Sequence, residues 1–317
     1  MSASPKKRPT PKKKLPTGTA PAPTERAPVT IPRLSEMKAA GEPIVMVTAY
    51  DNPSAEVAEE AGVDVVLVGD TAAMVVLGYD STVPVTMDEM LVLAGAVRRG
   101  LRTPIMIGDL PFGSYEASNE LAVENAQRFV KETGCDAVKL ERGGQSGDRA
   151  RAIIRTGIPV MGHVGLTPQT ATSLGGFKAQ GKTADAAAKL AEEALALQSV
   201  GCFAIVFEAV PAAIAAEIAA KLEIPAIGIG AGPATDGQVL VFHDLLGLFT
   251  GHAPKFVKRY ADVHGQMATG MRSYVEDVRA GRFPTEEHSY SIDADELEAF
   301  KGYLSAESLA ARTPWDW

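Results

Sequence analysis

The stretch Val65-Val66-Leu67-Val68-Gly69-Asp70-Thr71 is a β-branched apolar run that stops on a carboxylate and a hydroxyl. Ile105-Met106-Ile107-Gly108-Asp109 and Ala137-Val138-Lys139-Leu140-Glu141 repeat the figure, so three successive apolar strands end on an acid. Helical stretches separate them. That alternation is the pattern of a parallel sheet, and such sheets carry their chemistry at the carboxyl ends of their strands. If the three strands are neighbours, Asp70, Asp109 and Glu141 face one cleft. Carboxylates held that close raise one another's pKa unless a cation lies between them, so a hard divalent metal on oxygen ligands is expected there.

Outward from this centre the alternation continues. Strand-like runs at 44–51, 64–70, 104–109, 137–141, 159–163, 203–208 and 226–230 are separated by helical segments, and 239–242 reads as an eighth. Eight such runs fit the α/β class as a closed (β/α)8 TIM barrel better than an open sheet. One interruption stands out at 165–183, a connection bearing Gly175, Gly176 and Gly181. Connections that long inside a compact fold are lids over a site or variable surface loops, and both readings stay open.

With 317 residues and 46% apolar content the chain can bury a large core, and a single barrel takes roughly 250 residues. Residues 1–28 are Pro, Lys, Thr and Ala with almost nothing to bury and are expected to form a disordered basic tail. A single catalytic domain is expected over 29–290. An acidic C-terminal extension follows at 291–317, with a helix over 297–309 and Trp315 and Trp317 at its tip. The tail holds seven basic residues against Glu25, a net +6 that leaves −14 on the remainder of a chain whose net charge is −8. An acidic body of this kind excludes a broad nucleic-acid surface. No uncharged run reaches the ~18 residues of a membrane span. Cys135 and Cys202 each precede a strand and lack a Cys-x-x-Cys partner, so buried, reduced thiols in a cytoplasmic protein are expected.

Each strand-end acid has a plainer explanation, because Asp and Thr are good helix N-caps. Three acids at matching positions weigh against it, since capping one helix asks nothing of the next strand. Lys139 and Glu141 sit two apart on one strand and therefore point the same way, inward in a barrel. A lysine in a packed lumen needs an anion. Lys139 pairs permanently with an aspartate or waits for a substrate carboxylate, and the second is favoured because the nearby acids are already assigned to metal. His163 and Glu208 end the next two strands. Glu208 follows Phe203-Ala204-Ile205-Val206-Phe207, apolar surroundings that suit a general base. Gly228-Ile229-Gly230-Ala231-Gly232 is a weak dinucleotide fingerprint, with the wrong spacing and too late in the chain. Backbone clearance or a phosphate site explains it better. No Ser-His-Asp order, Walker loop or His/Cys cluster is present.

These residues are collinear with a known pattern. Thr48-Ala49-Tyr50-Asp51, Val68-Gly69-Asp70, Gly78-Tyr79-Asp80-Ser81-Thr82, Asp109-Leu110-Pro111-Phe112, Val138-Lys139-Leu140-Glu141, Gly162-His163-Val164-Gly165-Leu166-Thr167-Pro168-Gln169, Gly175-Gly176-Phe177-Lys178, Phe207-Glu208 and Glu286-Glu287-His288-Ser289 run in the order found in the ketopantoate hydroxymethyltransferase family. The chain resembles that family from about residue 31 to 290. The resemblance implies a barrel of the phosphoenolpyruvate/pyruvate type that carries a hydroxymethyl group from 5,10-methylenetetrahydrofolate to 3-methyl-2-oxobutanoate, for pantothenate and coenzyme A synthesis. It implies Mg2+ at Asp70, Asp109 and Glu141, the 2-oxo acid at Asp70, Thr71, Asp109, Lys139 and His163, and Glu208 as proton acceptor. The family usually has serine where this chain has Thr71, so the hydroxyl is kept and a methyl is added. Large homo-oligomers, often homodecamers, are implied as well. The nearest alternative is a Mg-dependent 2-oxo-acid lyase or aldolase of the same barrel type that uses no folate. A non-enzymatic anion binder acting through the basic tail is the alternative from another class.

Overall fold

A computed structural model describes residues 26–142, 145–251 and 253–304. The described residues fall into two compact units, 26–245 with 253–258, and 246–251 with 259–304. The expected boundary at residue 290 lies inside the second unit. Trp315 and Trp317 lie outside the described residues.

The first unit is a closed barrel of eight parallel strands in sequence order. The strands are β1 Ile44–Thr48, β2 Val65–Val68, β3 Ile105–Asp109, β4 Ala137–Glu141, β5 Val160–Gly165, β6 Ala204–Glu208, β7 Ala226–Ile229 and β8 Gly237–Leu240. The helices between them are α2 Asn52–Ala61, α3 Ala72–Val75, α4 Met87–Gly100, α5 Asn119–Arg128, α6 Ser146–Ile154, α7 Ala184–Ser199 and α8 Ala212–Ala219. α1, Ile31–Ala40, precedes β1. Sequence order and strand order agree because each helical crossover returns the chain to the neighbouring position in a right-handed sense.

Period two sets the contents of the lumen. Ile44 and Met46, Val65 and Leu67, Ile105 and Ile107, Ala137, Met161, Ala204 and Val206, Ile227 and Ile229, and Val239 form one buried apolar cluster. Leu34 and Met37 of α1 join the cluster, so that helix seals the barrel from one end. Two residues further along three of these strands, the same inward-facing rows reach Asp109, Lys139 with Glu141, and Glu208. Packed aliphatic layers below and polar strand ends above are thus one alternation read to its end.

β8 is the strand that the sequence misplaces, by two residues. The apolar run 239–242 suggested it, but Phe242 already opens the short helix α9, Phe242–Leu245. β8 instead begins at Gly237, opposite Ile44 of β1. A Cβ on Gly237 would lie 2.4 Å from the Ile44 carbonyl oxygen, so a residue with no apolar signal closes the barrel. Asp51, expected at the end of β1, is the N-cap of α2, its carboxylate accepting from Ser54 N at 2.8 Å. Arg26, assigned by composition to the tail, is fastened to the barrel: its guanidinium pairs with Asp64 and donates to the Gly62 and Val63 carbonyls.

In the second unit, α10 spans Val263–Arg279 and α11 spans Ala294–Tyr303, overlapping the helix expected at 297–309, whose residues 305–309 lie outside the described residues. Asp262 caps α10 and Asp293 caps α11. Phe283 meets Tyr274 and His288 with ring centroids 5.7 and 5.0 Å apart. Among the described residues no helix is long and apolar enough to cross a membrane.

Two predictions follow from this packing. A Cβ on Gly108 would sit 2.5 Å from the buried Phe129 ring, so Gly108→Ala is expected to lower the unfolding free energy by about 1–3 kcal/mol in denaturant titrations. Burial pushes the thiols of Cys135 and Cys202 up to about 12. Neither is expected to react with a thiol reagent at neutral pH until the chain is unfolded, and rapid labelling of the native protein would contradict this.

Candidate active site

Asp70, Thr71, Asp109, Lys139, Glu141, His163 and Glu208 all line one cavity of ≈ 40 Å3 at the carboxyl ends of the strands, together with the apolar side chains of Leu67, Val206, Ile229 and Val239. A larger cleft of ≈ 750 Å3 opens near Lys38, Ile44, Gly237 and Phe256. Its Lys38 is already paired with Asp236 at 2.8 Å, and Asp236 also accepts from Ala226 N. The concentrated charge is therefore in the smaller cavity.

Helix capping does not account for these residues. Thr71 stands at the N-cap of α3 without a side-chain capping bond. The Asp70 and Asp109 carboxylates are engaged across the barrel, with Gln169 and Lys139 respectively.

Lys139 is paired. Its Nζ lies 2.7 Å from Asp109 Oδ1, with the two side chains 5% and 1% exposed, the aspartate pairing that the sequence had set beside the favoured wait for a substrate carboxylate. Burial pulls the ammonium pKa down, but the carboxylates of Asp109, Glu141 and Asp70 outweigh it and raise it above its ordinary value. The second oxygen of Asp109 accepts from Asp70 N at 3.1 Å. Asp70 is pushed well up, first by burial and then by Asp109 and Glu141, with Lys139 and Gln169 opposing.

His163 stands between two carboxylates. Nδ1 is 3.4 Å from Glu141 Oε1 and Nε2 is 3.4 Å from Glu208 Oε2. These are ion-pair distances, too poorly directed for hydrogen bonds, and Glu141 Oε1 and His163 Nε2 have no hydrogen-bond partner. Burial and the Lys139 charge pull the imidazole down, yet the two carboxylates prevail and lift it to about 9.

Glu208 is held by its backbone. Gly165 at φ 97 brings β5 so close to β6 that a Cβ there would stand 2.3 Å from the Glu208 carbonyl oxygen, which accepts from Leu166 N at 2.9 Å. Ala209 follows at φ 50, a left-handed turn that non-glycine residues seldom adopt. The Glu208 side chain stays 17% exposed, so its surroundings are less uniformly apolar than the run before it suggests.

Two residues go beyond those singled out from the sequence. Gln169, in a 3-10 turn at Pro168–Thr170, is buried and donates through Nε2 to Asp70 Oδ2 at 3.0 Å and to the Leu110 carbonyl at 2.9 Å. Its backbone N donates to Glu141 Oε2 at 3.1 Å. Tyr115 donates its hydroxyl to Gln169 Oε1 at 2.7 Å and accepts from Glu141 N. A glutamine in a Gly-, Thr- and Pro-bearing loop carries no sequence sign of burial, so neither was separable from its motif.

Among the described residues, no group of three His, Cys, Asp or Glu side chains forms a ready-made metal cage. Carboxylate oxygens and the His163 imidazole face the cavity, and Oε1 of Glu141 has no hydrogen-bond partner. The Gly228–Gly232 run serves packing: a Cβ on Gly230 would meet the Phe256 ring at 2.4 Å and one on Gly232 the Ala212 side chain at 2.4 Å. No helix stands between β7 and β8 to receive a pyrophosphate.

A closed parallel barrel with its acids, lysine and histidine gathered at the strand ends defines a (β/α)8-barrel enzyme with a carboxylate-lined site. Within that class, the sequence model of the ketopantoate hydroxymethyltransferase family matches residues 28–286, and the chain belongs to that family. The 3-methyl-2-oxobutanoate hydroxymethyltransferase of Carboxydothermus hydrogenoformans is 54% identical over 270 residues, covering 85% of this chain and 98% of the relative. The mitochondrial 3-methyl-2-oxobutanoate hydroxymethyltransferase 1 of Arabidopsis thaliana is 50% identical, covering 89% of this chain and 85% of its own. Phosphoenolpyruvate phosphomutase from Streptomyces platensis subsp. rosaceus superposes with a TM-score of 0.54 at 14% identity, over 89% of this chain and 99% of that one. 2,3-Dimethylmalate lyase, of the PEP mutase/isocitrate lyase superfamily, superposes with a TM-score of 0.52 at 16% identity, over 86% of this chain and 98% of that one. At such identities the likeness speaks for the fold alone, a closed (β/α)8 barrel.

Removing one member of a buried ion pair strands the other, at a cost of about 3–5 kcal/mol. Lys139→Met and Asp109→Asn are each expected to lose that much stability in denaturant unfolding, while the double variant loses distinctly less than their sum. Additivity within about 0.5 kcal/mol would show that the two side chains are not coupled.

Proposed function

We propose that the chain moves a one-carbon unit from 5,10-methylenetetrahydrofolate to C3 of 3-methyl-2-oxobutanoate, giving 2-dehydropantoate (ketopantoate), with Mg2+ in the site. The observation that carries the proposal is the single cavity in which Asp70, Asp109, Lys139, Glu141, His163 and Glu208 meet, in a chain 50–54% identical to enzymes of that name. A lyase or aldolase working without folate is the weaker reading, because the relatives carry the transferase name.

The donor set fits Mg2+. Asp70 and Glu141 offer hard oxygen ligands in a buried site where negative charge exceeds positive, and burial, with Asp109 and Glu141 beside it, drives Asp70 up. Mg2+ binds through one or two carboxylates, with substrate and water completing its shell, and so needs no three-acid cage. Asp70, Asp109 and Glu141 are the residues that would hold it. When bound, it supplies a Lewis acid that polarises the 2-oxo group and acidifies the neighbouring C3–H.

The protein's own groups account for the rest. Glu208 accepts the C3 proton, and the C–H electron pair becomes the enolate. Lys139 keeps a positive charge beside the developing negative oxygen and, with Thr71, orients the acid. His163, flanked by Glu141 and Glu208, holds a proton next to the base. The nucleophilic C3 bonds to the methylene carbon. The bridging C–N bonds release their electron pairs to the folate nitrogens, and water supplies the hydroxyl oxygen. A cytoplasmic homo-oligomer, decameric as the family resemblance implies, completes the proposal.

Glu208→Gln is expected to retain oxo-acid binding while losing exchange of the substrate's C3 hydrogen in deuterated water, followed by NMR. Exchange at the parent rate would remove Glu208 from the role of base. Product formation that proceeds equally without the folate would overturn the choice of donor.

A further inference from the structure

We infer that Gln169 is a positioning residue that decides which oxygens of Asp70 and Glu141 are left for a divalent cation. This rests on the metal-assisted reading of the site. The residue reaches both acids at once, from a loop 99 positions from one and 28 from the other.

Each carboxylate has two oxygens, and the hydrogen bonds divide them. Asp70 Oδ2 accepts from Gln169 Nε2, and Glu141 Oε2 accepts from Gln169 N. Both Asp109 oxygens are occupied, one by Lys139 and the other by Asp70 N. The oxygens without a hydrogen bond to Gln169 are Asp70 Oδ1 and Glu141 Oε1, and Glu141 Oε1 is buried without any hydrogen-bond partner. Rotation of either carboxylate to present its other oxygen would break a bond to Gln169 in a dry site, where an unmade bond is costly.

Only an amide meets the surroundings of this side chain. Nε2 faces two acceptors, Asp70 Oδ2 and the Leu110 carbonyl, while Oε1 faces the Tyr115 hydroxyl donor. Reversing the amide would set oxygen against oxygen twice, so the network itself fixes its orientation. Tyr115 extends the chain to Glu141 N, 3.3 Å from its hydroxyl. The loop after β5 is also tied to the base: Leu166 N donates to the Glu208 carbonyl and Gln180 N to the Ala209 carbonyl. One connection thus registers the cation-binding acids against the proton acceptor.

The test uses Mn2+ as probe on the full chain, with binding followed by electron paramagnetic resonance or calorimetry in the absence of folate. Partners that orient metal ligands typically contribute 10- to 100-fold in affinity. Gln169→Leu is expected to weaken Mn2+ by about that factor, and to raise the oxo-acid KM more than it lowers kcat. Tyr115→Phe, which keeps the ring and removes one anchor, is expected to weaken it by about 2- to 10-fold. If the parent binds Mn2+ and a folded Gln169→Leu binds it equally well, the inference falls while the metal reading stands. If the parent itself does not bind, the metal reading falls, and the inference with it. Should Gln169→Leu not fold, Tyr115→Phe decides, and an unchanged Mn2+ affinity in it overturns the inference.

Discussion

The cavity at the strand ends holds more carboxylates than cations, and much else in the barrel answers that imbalance. Asp70, Asp109, Glu141 and Glu208 share it with Lys139 and His163. In a dry lumen each negative group is destabilised both by lost hydration and by the next acid. The arrangement relieves part of this internally, through the Lys139–Asp109 pair and through an imidazole set between Glu141 and Glu208. Burial, with Asp109 and Glu141 beside it, raises Asp70 well above the ordinary carboxylate range. Under the proposed function, a bound cation would offset that surplus of negative charge.

Backbone geometry keeps these groups near one another. The aliphatic layers beneath them and the α1 side chains Leu34 and Met37 make the lower lumen solid. Polar side chains then have one place to go, upward into the mouth. Glycines admit the close approaches that fixed strands demand: Gly108 receives Phe129, Gly165 lets β5 touch the Glu208 carbonyl, and Gly237 lies against Ile44. A side chain at Gly108 or Gly165 would displace the strand that carries or adjoins Asp109 or Glu208, and one at Gly237 would part β8 from β1.

The loop after β5, read from the sequence as a lid or a variable surface loop, changes character along its length. Its first part is buried scaffold, with Thr167 and Gln169 among the most enclosed polar residues, while Phe177 further along is 59% exposed. The connection enters the site, bonds two acids through Gln169 and returns to Ala209. Such hydrogen-bonded partners set the direction of ligand lone pairs, and that direction matters as much as ligand identity.

The local pattern pointed to the barrel class, most strand positions and the acids of the cavity, because period two and an acid at or near the end of several strands are written into short segments such as 105–109 and 137–141. β8 escaped it, since Gly237 and Gln238 lack apolar character and only closure against β1 makes them a strand. The partner of Lys139 stayed open in the sequence: strand spacing pointed the ammonium inward, and the register Asp109↔Lys139 sets it beside that aspartate. Gln169 was invisible as a ligand-orienting group, for it meets Asp70 across 99 residues of chain. Side-chain direction is a property of a few neighbouring residues, whereas partnership between distant ones exists only once the barrel has closed.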